Sequence, residues 1–283
     1  MTRILACIDA SVYATSVADH AAWMASKLGA HVELLHAIQR KDAVAARHDL
    51  SGAVGLGAKS ALLEELARID EAESRAAQET GRSLLAAGEK HLKDAGLTDI
   101  SVTHRHGGIV ETILEREEGA DFVVIGKRGA SADFAAGHLG SKIERVVRAS
   151  VKPVLVANRG FRPIRSVLIA YDGGKSAAKA LEFVASSPLF DGTALHVVSI
   201  GETAEVEARA KAAAEKLKAR HARVTAAMVP GHAANALVRY QQDNDCGLIV
   251  MGAYGHSPLR TMIVGSTTTE VIRACKVPVL LFR

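Results

Sequence analysis

The 283-residue sequence has few cysteines, no long apolar run and little excess of either charge. Its three cysteines are odd in number and follow no metal-binding spacing, so we expect reduced thiols. No apolar stretch approaches the roughly 18 residues of a membrane span, and the N-terminus shows no leader segment. The net charge of +4 is too small to indicate nucleic acid binding. We therefore expect a cytoplasmic protein with neither a nucleic acid nor a membrane partner.

The usual catalytic motifs are also missing. Gly174-Lys175-Ser176 resembles the end of a phosphate-binding Walker A loop, but Ile169 stands where that motif needs its first glycine. A Gly-x-Gly-x-x-Gly after the first strand, a Ser/His/Asp order and a carboxylate pair are absent as well. His104 with His106 is weak evidence for a metal site. The sequence thus predicts no catalytic residue and no metal ligand.

What the sequence does contain is an internal repeat. Two stretches share an apolar run, Gly-x-x-Gly, nine or ten residues, and then Gly-Ser at the start of a helix-like segment closing on Pro-Val-Leu. The repeated positions are Gly126, Gly129, Gly140 and Ser141 in the first copy, and Gly252, Gly255, Gly265, Ser266 and Thr267 in the second. The repeat predicts two tandem domains, residues 1–158 and 164–283, joined by a short linker.

Each copy alternates β-branched runs with helix-patterned stretches, which is typical of a parallel sheet covered by helices. We expect an α/β fold of two doubly wound, Rossmann-like domains with five strands each. The predicted strands are 3–8, 31–37, 100–104, 121–125 and 153–157, then 165–171, 193–198, 223–229, 247–251 and 278–282. The last strand of each copy would be an apolar edge, so we expect these two strands to pair with each other.

A helical run from about Lys59 to Lys93 distinguishes the first copy. Leu62, Leu66 and Ile69 recur at helical spacing, as do leucines further along. The pattern favours an amphipathic helix that covers the sheet, and a partner-binding arm is the alternative.

In open parallel sheets, ligands bind beyond the carboxyl ends of the strands, where the strand order reverses. Both glycine motifs begin at such an end, and glycine there lets the backbone approach a ligand or adopt positive φ. The helix that follows each Gly-Ser would offer free N–H groups to an anion. Asp9 and Asp172 end the two first strands and could accept hydrogen bonds from a base or ribose.

Helix capping is the alternative interpretation of these polar residues. Ser141 with Glu144, and Thr267 with Glu270, have capping-box spacing. Asp9 and Asp172 could cap the helices that follow them.

At these residues the chain resembles the universal stress protein family in its tandem form, with an ATP-binding type of motif in the second copy. The resemblance implies ATP or AMP as ligand, with or without Mg²⁺. It implies that Asp172 and Val197 hold the adenosine, and that phosphates and ribose contact Gly252, Gly255, Gly265, Ser266 and Thr267. His256 and Arg260 lie within the connecting loop and would add positive charge.

The first copy departs from this pattern, although Asp9, Gly126, Gly129, Gly140 and Ser141 form the corresponding site. Its loop is one residue longer, and Lys127-Arg128 stands between the glycines. Ala37 occupies the position that we align with Val197.

The resemblance implies a nucleotide-binding stress-response protein that acts as a regulatory or sensor module. A weak ATPase or nucleotide-dependent transferase is one alternative. A scaffold without nucleotide in the first domain is another. A homodimer of tandem chains is the expected assembly.

Overall fold

The computed structural model describes residues 1–38, 56–129, 140–253 and 266–283, with side chains except those of 56–63 and 266. The strands are β1 (Arg3–Cys7), β2 (His31–Ile38), β3 (Ile100–His106), β4 (Phe122–Gly126), β5 (Val154–Ala157), β6 (Ser166–Ala170), β7 (Ala194–Ile200), β8 (Val224–Val229), β9 (Leu248–Gly252) and β10 (Val279–Phe282). The helices are α1 (Ala14–Leu28), α2 (Leu56–Asp94), α3 (Ile109–Glu117), α4 (Ser141–Ala149), α5 (Lys175–Ser186), α6 (Ala204–Lys218), α7 (Ala233–Asp243) and α8 (Ser266–Ala274).

All ten strands form one sheet in the order β3-β2-β1-β4-β5-β10-β9-β6-β7-β8. Strands are parallel within each half, β1–β5 and β6–β10, and each half repeats the same order. The prediction of two doubly wound five-stranded units is confirmed, and each predicted strand agrees with the observed one to within two residues.

The two halves meet through their last strands. β5 and β10 pair antiparallel, with Leu155 opposite Leu280, so the predicted pairing of these apolar edges is confirmed. Because this pair is antiparallel while each half is parallel, the carboxyl ends of the two halves lie at opposite edges of the sheet.

Helices cover both faces of the sheet, which places side chains of successive strand residues in different cores. Ile4 and Ala6 pack with helices α1, α2, α5 and α6, whereas Leu5 packs with α3, α4, α7 and α8. This alternation follows from the two-residue period of a strand, and it makes the strands apolar on both sides.

One core runs continuously across the junction of the halves. The ring of Phe183 in α5 lies 5.3 Å from that of Phe122 in β4 and 5.2 Å from that of Phe282 in β10. Aromatic pairs at such distances stabilise beyond the area they bury. The halves therefore share apolar contacts as well as backbone hydrogen bonds.

Basic side chains also cross the junction to helix C-termini. Lys127 Nζ donates to the carbonyls of Arg273 and Cys275, at 2.7 and 2.9 Å, at the end of α8. Arg283 makes the reciprocal contact, since its Nη1 donates to the carbonyl of Arg148, at 3.0 Å, near the end of α4. A cation at a helix C-terminus satisfies free carbonyls and opposes the negative end of the dipole.

The helix α2 covers the sheet over only part of its length. Leu85 and Leu92 are buried, but Ile69 is 47% exposed and most side chains described before Gly81 are exposed. A helix of 39 residues measures about 58 Å, while the strands beneath it span about 25 Å. The predicted covering helix is thus found from Gly81 onward, and its first part extends past the sheet.

Replacing Lys127 with Met should lower the free energy of unfolding by about 1–3 kcal/mol, because two carbonyls at the end of α8 lose a charged donor. Urea denaturation measures the effect. Lys211→Met is the control, since Lys211 pairs with Glu207 one turn away on the exposed surface of α6. Equal stability of the two variants would contradict a role for Lys127 in joining the halves.

Candidate functional site

Each half contains one crevice at the point where its strand order reverses. In the first half β1 lies between β2 and β4, so the crevice opens between the carboxyl ends of β1 and β4. In the second half the corresponding crevice lies between β6 and β9. The two glycine motifs begin at the ends of β4 and β9, and Asp9 and Asp172 follow the ends of β1 and β6.

The aspartate of each crevice shapes the turn after its strand. Asp9 Oδ1 accepts a hydrogen bond from the Ser11 N–H at 3.1 Å, and Asp172 Oδ1 accepts one from the Gly174 N–H at 2.7 Å. The alternative interpretation, in which these aspartates cap the following helices, does not hold. The cap positions are Tyr13 and Gly174, and neither helix has a side-chain cap. A carboxylate reaches the N–H two residues later more readily than one further on, which forms an Asx turn.

A side chain from the second strand holds the residue before each aspartate. His36 Nδ1 donates to the carbonyl of Ile8 at 2.8 Å, and Ser199 Oγ donates to the carbonyl of Tyr171 at 2.6 Å. These contacts occupy the same position in the two halves. They fix the backbone that carries each aspartate, and the sequence offered no signal for them.

The first glycine of each motif is required by close packing. A Cβ on Gly126 would lie 2.7 Å from Cβ of Tyr13, and a Cβ on Gly252 would lie 2.8 Å from the backbone N of Ala177. None of the motif glycines in the described ranges (Gly126, Gly129, Gly140 and Gly252) has positive φ. Positive φ is therefore not the reason for these glycines; at Gly126 and Gly252 the reason is the start of the neighbouring helix, which packs against the strand end.

The second glycine of the first motif lies opposite the aspartate. A Cβ on Gly129 would lie 3.0 Å from Asp9 Oδ2, so the loop after β4 and the turn after β1 meet across the crevice. Gly255, the matching glycine of the second motif, lies outside the described residues, as do His256, Arg260 and Gly265.

The helices after the two Gly-Ser pairs begin as predicted. Helix α4 starts at Ser141 with Gly140 at the cap position and no side-chain cap, and α8 starts at Ser266. The capping box of Ser141 with Glu144 is not formed. Ser141 is already the first helical residue, and Glu144 pairs with Arg148 instead.

In the second half, Thr267 is half-buried near the start of α8, and Glu270 lies 3.7 Å from His232. Thr268 Oγ1 donates to the carbonyl of Ala253, which ties the start of α8 to the strand end.

The crevice of the first half contains a cavity of about 60 Å³. Its floor is apolar, with Leu35, Ile113 and Ile125, and its mouth carries Asp9, Tyr13, Arg128 and Gly129. Nucleotide-sized ligands occupy pockets of about 300 Å³ or more. The cavity between the described walls of the first crevice is smaller than this, and Tyr13, which stands where the second half has Ser176, is one of its lining residues.

The thiol of Cys7 also lines this cavity. Burial, reinforced by the charges of Glu33, Glu117 and Asp9, raises the pKa of Cys7, which disfavours the reactive thiolate.

The structure corrects the position assigned to Val197. Val197 is fully buried within the core and pairs with Ile169, as Leu34 pairs with Ala6 in the first half. Val197 is therefore the equivalent of Leu34, not of Ala37. Ala37, which lines the first cavity, corresponds to Ile200 at the end of β7. A strand exposes ligand-facing groups only at its end, and the sequence motif did not reveal where the strand ends.

Three imidazoles lie beneath α2 next to the first crevice. The His104 ring is 5.5 Å from that of His36 and 5.9 Å from that of His106. His104 Nε2 is buried without a hydrogen-bond partner, and a Cβ on Gly81 would lie 2.5 Å from it. Burial, followed by the charges of His36, His106 and Arg82, lowers the pKa of His104.

Within the described parts of the chain, no three His, Cys, Asp or Glu side chains form a group that could hold a metal ion. No helix described by the structure is both long and apolar enough to cross a membrane.

Comparison with known proteins gives one consistent family. The sequence model of the universal stress protein family matches residues 1–158 and 200–283. A universal stress protein of Synechocystis sp. is 37% identical over 287 residues, covering 100% of both chains. One from Mycobacterium tuberculosis is 25% identical over 232 residues, covering 73% of this chain and 78% of the relative.

Among solved structures, a universal stress protein from Archaeoglobus fulgidus has the same fold. It aligns with a TM-score of 0.72 at 24% identity, covering 99% of this chain and 98% of that protein.

Replacing Gly126 with Ala should destabilise the protein by about 1–3 kcal/mol, because the new methyl group overlaps the helix start at Tyr13. Gly160→Ala is the matched control, since a Cβ there meets no atom within 4 Å. Thermal unfolding of both variants measures the difference. An unchanged melting temperature for Gly126→Ala would show that this glycine is not required by packing.

Stability should fall as the pH drops below about 6.5. Burial lowers the pKa of His20, His104 and His196 below the ordinary value of 6.5, so the unfolded chain takes up protons at a higher pH than the folded chain. This contribution to stability is complete above pH 6.5 and is lost below it. Urea denaturation from about pH 5 to 8 measures how steeply stability depends on pH. Replacing His104 with Met, the residue at the corresponding position 228 of the second half, should reduce this slope. An unchanged slope would contradict the assignment to His104.

Proposed function

The chain belongs to the universal stress protein family, and on this premise we propose that it is a stress-response protein whose second-half crevice binds an adenine nucleotide. The observation that carries the proposal is the Asp172 turn at the switch point of the sheet, next to Gly252 at the end of β9, which packs against Ser176 and Ala177. The second half has the motif spacing that resembles ATP-binding members of the family.

In the proposed site, Asp172 accepts hydrogen bonds from the base or ribose. Its Oδ1 already receives the Gly174 N–H, and Oδ2 accepts no hydrogen bond from a described residue, which leaves an acceptor for the ligand. Gly252, Gly255, Gly265, Ser266 and Thr267 contact the phosphates and ribose, with the N–H groups at the start of α8 facing the anion. His256 and Arg260 add positive charge. Ile200, at the end of β7, takes the place first assigned to Val197.

We propose binding with a regulatory outcome in preference to turnover. Phosphoryl transfer needs a positioned base and metal ligands, and Asp172 is the one carboxylate that the sequence places at this crevice. Mg²⁺ would accompany a bound triphosphate. ADP formation that disappears in Asp172→Asn while ATP binding persists would favour the ATPase alternative.

The domain limits 1–158 and 164–283, a homodimer of two such chains and a cytoplasmic location complete the proposal. The limits are supported by the repeat of five strands, β1–β5 and β6–β10, on either side of residues 158–163. Light scattering of the purified protein tests the dimer, and a mass of one chain would exclude it.

ATP at a hundredfold excess over Kd should raise the free energy of unfolding by about 2.7 kcal/mol. Asp172→Asn should weaken ATP binding by about tenfold while preserving the turn, because the amide oxygen can still accept the Gly174 N–H. Titration calorimetry measures the affinity. Asp243→Asn makes the same change on the exposed end of α7 and should bind ATP normally. No heat and no thermal shift with millimolar ATP would refute nucleotide binding.

A further inference from the structure

The sheet ends in two edge strands, β3 in the first half and β8 in the second. In a parallel sheet, an edge strand bonds to its one neighbour through alternate residues, and the residues between them point their N–H and C=O groups outward. Leu195 pairs with Val224 and its N–H donates to the carbonyl of Arg223, so β8 bonds to β7 through its odd-numbered residues. The outward backbone groups of this edge therefore belong to Val224, Ala226 and Met228.

The edge formed by β8 is apolar and uncharged. The strand contains no charged residue, glycine or proline, and its side chains are half-buried except for the exposed Thr225. Two arginines precede it, but both bind groups of their own chain, Arg220 to Asp191 and Arg223 to the carbonyl of Gly192. No residue in the described ranges bonds to the outward backbone groups of β8. Such an edge is a template for a further strand.

The edge formed by β3 has a different character. It carries the exposed Arg105 together with His104 and His106. Charged side chains on an edge strand oppose the addition of another strand. Although β3 and β8 occupy equivalent places in the repeat, β8 is therefore the edge better suited to pairing.

We propose that β8 pairs antiparallel with β8 of a second copy of this chain, so that the sheet continues from one chain into the other. Association of two copies is part of the proposed function, on which this inference rests, and the surface is what the inference adds. A two-fold axis at Ala226 places Val224 opposite Met228 and Ala226 opposite its own copy. All of these are outward residues, so each opposite pair exchanges both of its N–H···O bonds.

The side chains agree with this register. Val224 and Met228 lie on one face of the strand and would form apolar cross-strand pairs. On the other face Thr225 would lie opposite Ala227. No like charges meet, because the flanking Arg223 would lie opposite the apolar Val229.

The symmetry of this contact also limits its size. Both chains use the same surface, so the assembly closes at two copies. Pairing of β8 with β3 of another copy would instead leave a free edge at each end and produce an open chain of molecules. The proposed contact thus predicts a dimer and no larger species.

The variant Ala226→Pro tests the contact in the full chain. Proline removes an outward N–H and places its ring where the partner strand would lie, while the odd-numbered residues keep their bonds to β7. Light scattering should give the mass of two chains for the wild type and of one chain for the variant. The dissociation constant of the dimer should rise at least about 100-fold.

The matched control is Val102→Pro on the other edge. Val32 pairs with Ile100 and its N–H donates to the carbonyl of Asp99, so Val102 points its N–H outward from β3 as Ala226 does from β8. This variant should keep the mass of two chains. Circular dichroism establishes that both proline variants are folded.

A cysteine at the same position tests the contact with little change to the strand. In the proposed register the thiols of two Ala226→Cys chains lie on opposite residues with Cα atoms about 5.5 Å apart, which a disulfide can span. Oxidised glutathione, which accepts the two electrons, should yield a covalent dimer. Wild-type protein, whose cysteines are buried or half-buried, and Val102→Cys should remain single chains.

A mass of two chains for folded Ala226→Pro, or the absence of a covalent dimer of Ala226→Cys, would overturn the inference. If Ala226→Pro does not fold, the cysteine variant decides alone. A wild-type mass of one chain would refute this contact together with the homodimer. Nucleotide binding is measured separately by titration with ATP, so its failure and the failure of this contact are distinguishable.

Discussion

The antiparallel pair of β5 and β10 is the interaction on which the rest of the structure depends. Both strands are apolar and buried, and each half alone would expose one of them as an unpaired edge. Joining them turns two five-stranded units into one ten-stranded sheet with a shared core. The same pairing sends the carboxyl ends of the two halves to opposite edges, so the two crevices cannot act on one ligand.

The crevices are built from contacts that serve packing first. Gly126 and Gly252 are the last residues of β4 and β9, and they let each strand end contact the start of the first helix of its half. Asp9 and Asp172 close tight turns. In the first half they bring the Asp9 turn and the glycine loop together at Gly129, in the absence of any ligand. A ligand in either crevice would therefore be bound by polar groups that these packing contacts and turns do not use.

The two halves differ in the side chains that lie in and beside their crevices. Tyr13 and Arg128 line the first crevice, whereas Ser176 and Tyr254 stand at the matching positions of the second half. The imidazoles of His36, His104 and His106 are likewise replaced by Ser199, Met228 and Pro230. One frame thus carries two crevices that differ in their charged and aromatic residues and in the imidazoles beside them.

The sequence by itself determined the fold and the location of the crevices. Strand periodicity and the repeated spacing of glycines are local properties of the chain, so both could be predicted before the structure. The direction of side chains could not, because it depends on register and on neighbours distant in sequence. Only the tertiary structure placed Val197 in the core, set Lys127 against α8 and put Arg128 in the lining of the first crevice. It decided these positions because adjacent residues on one loop pack against different elements, which no pattern along the chain records.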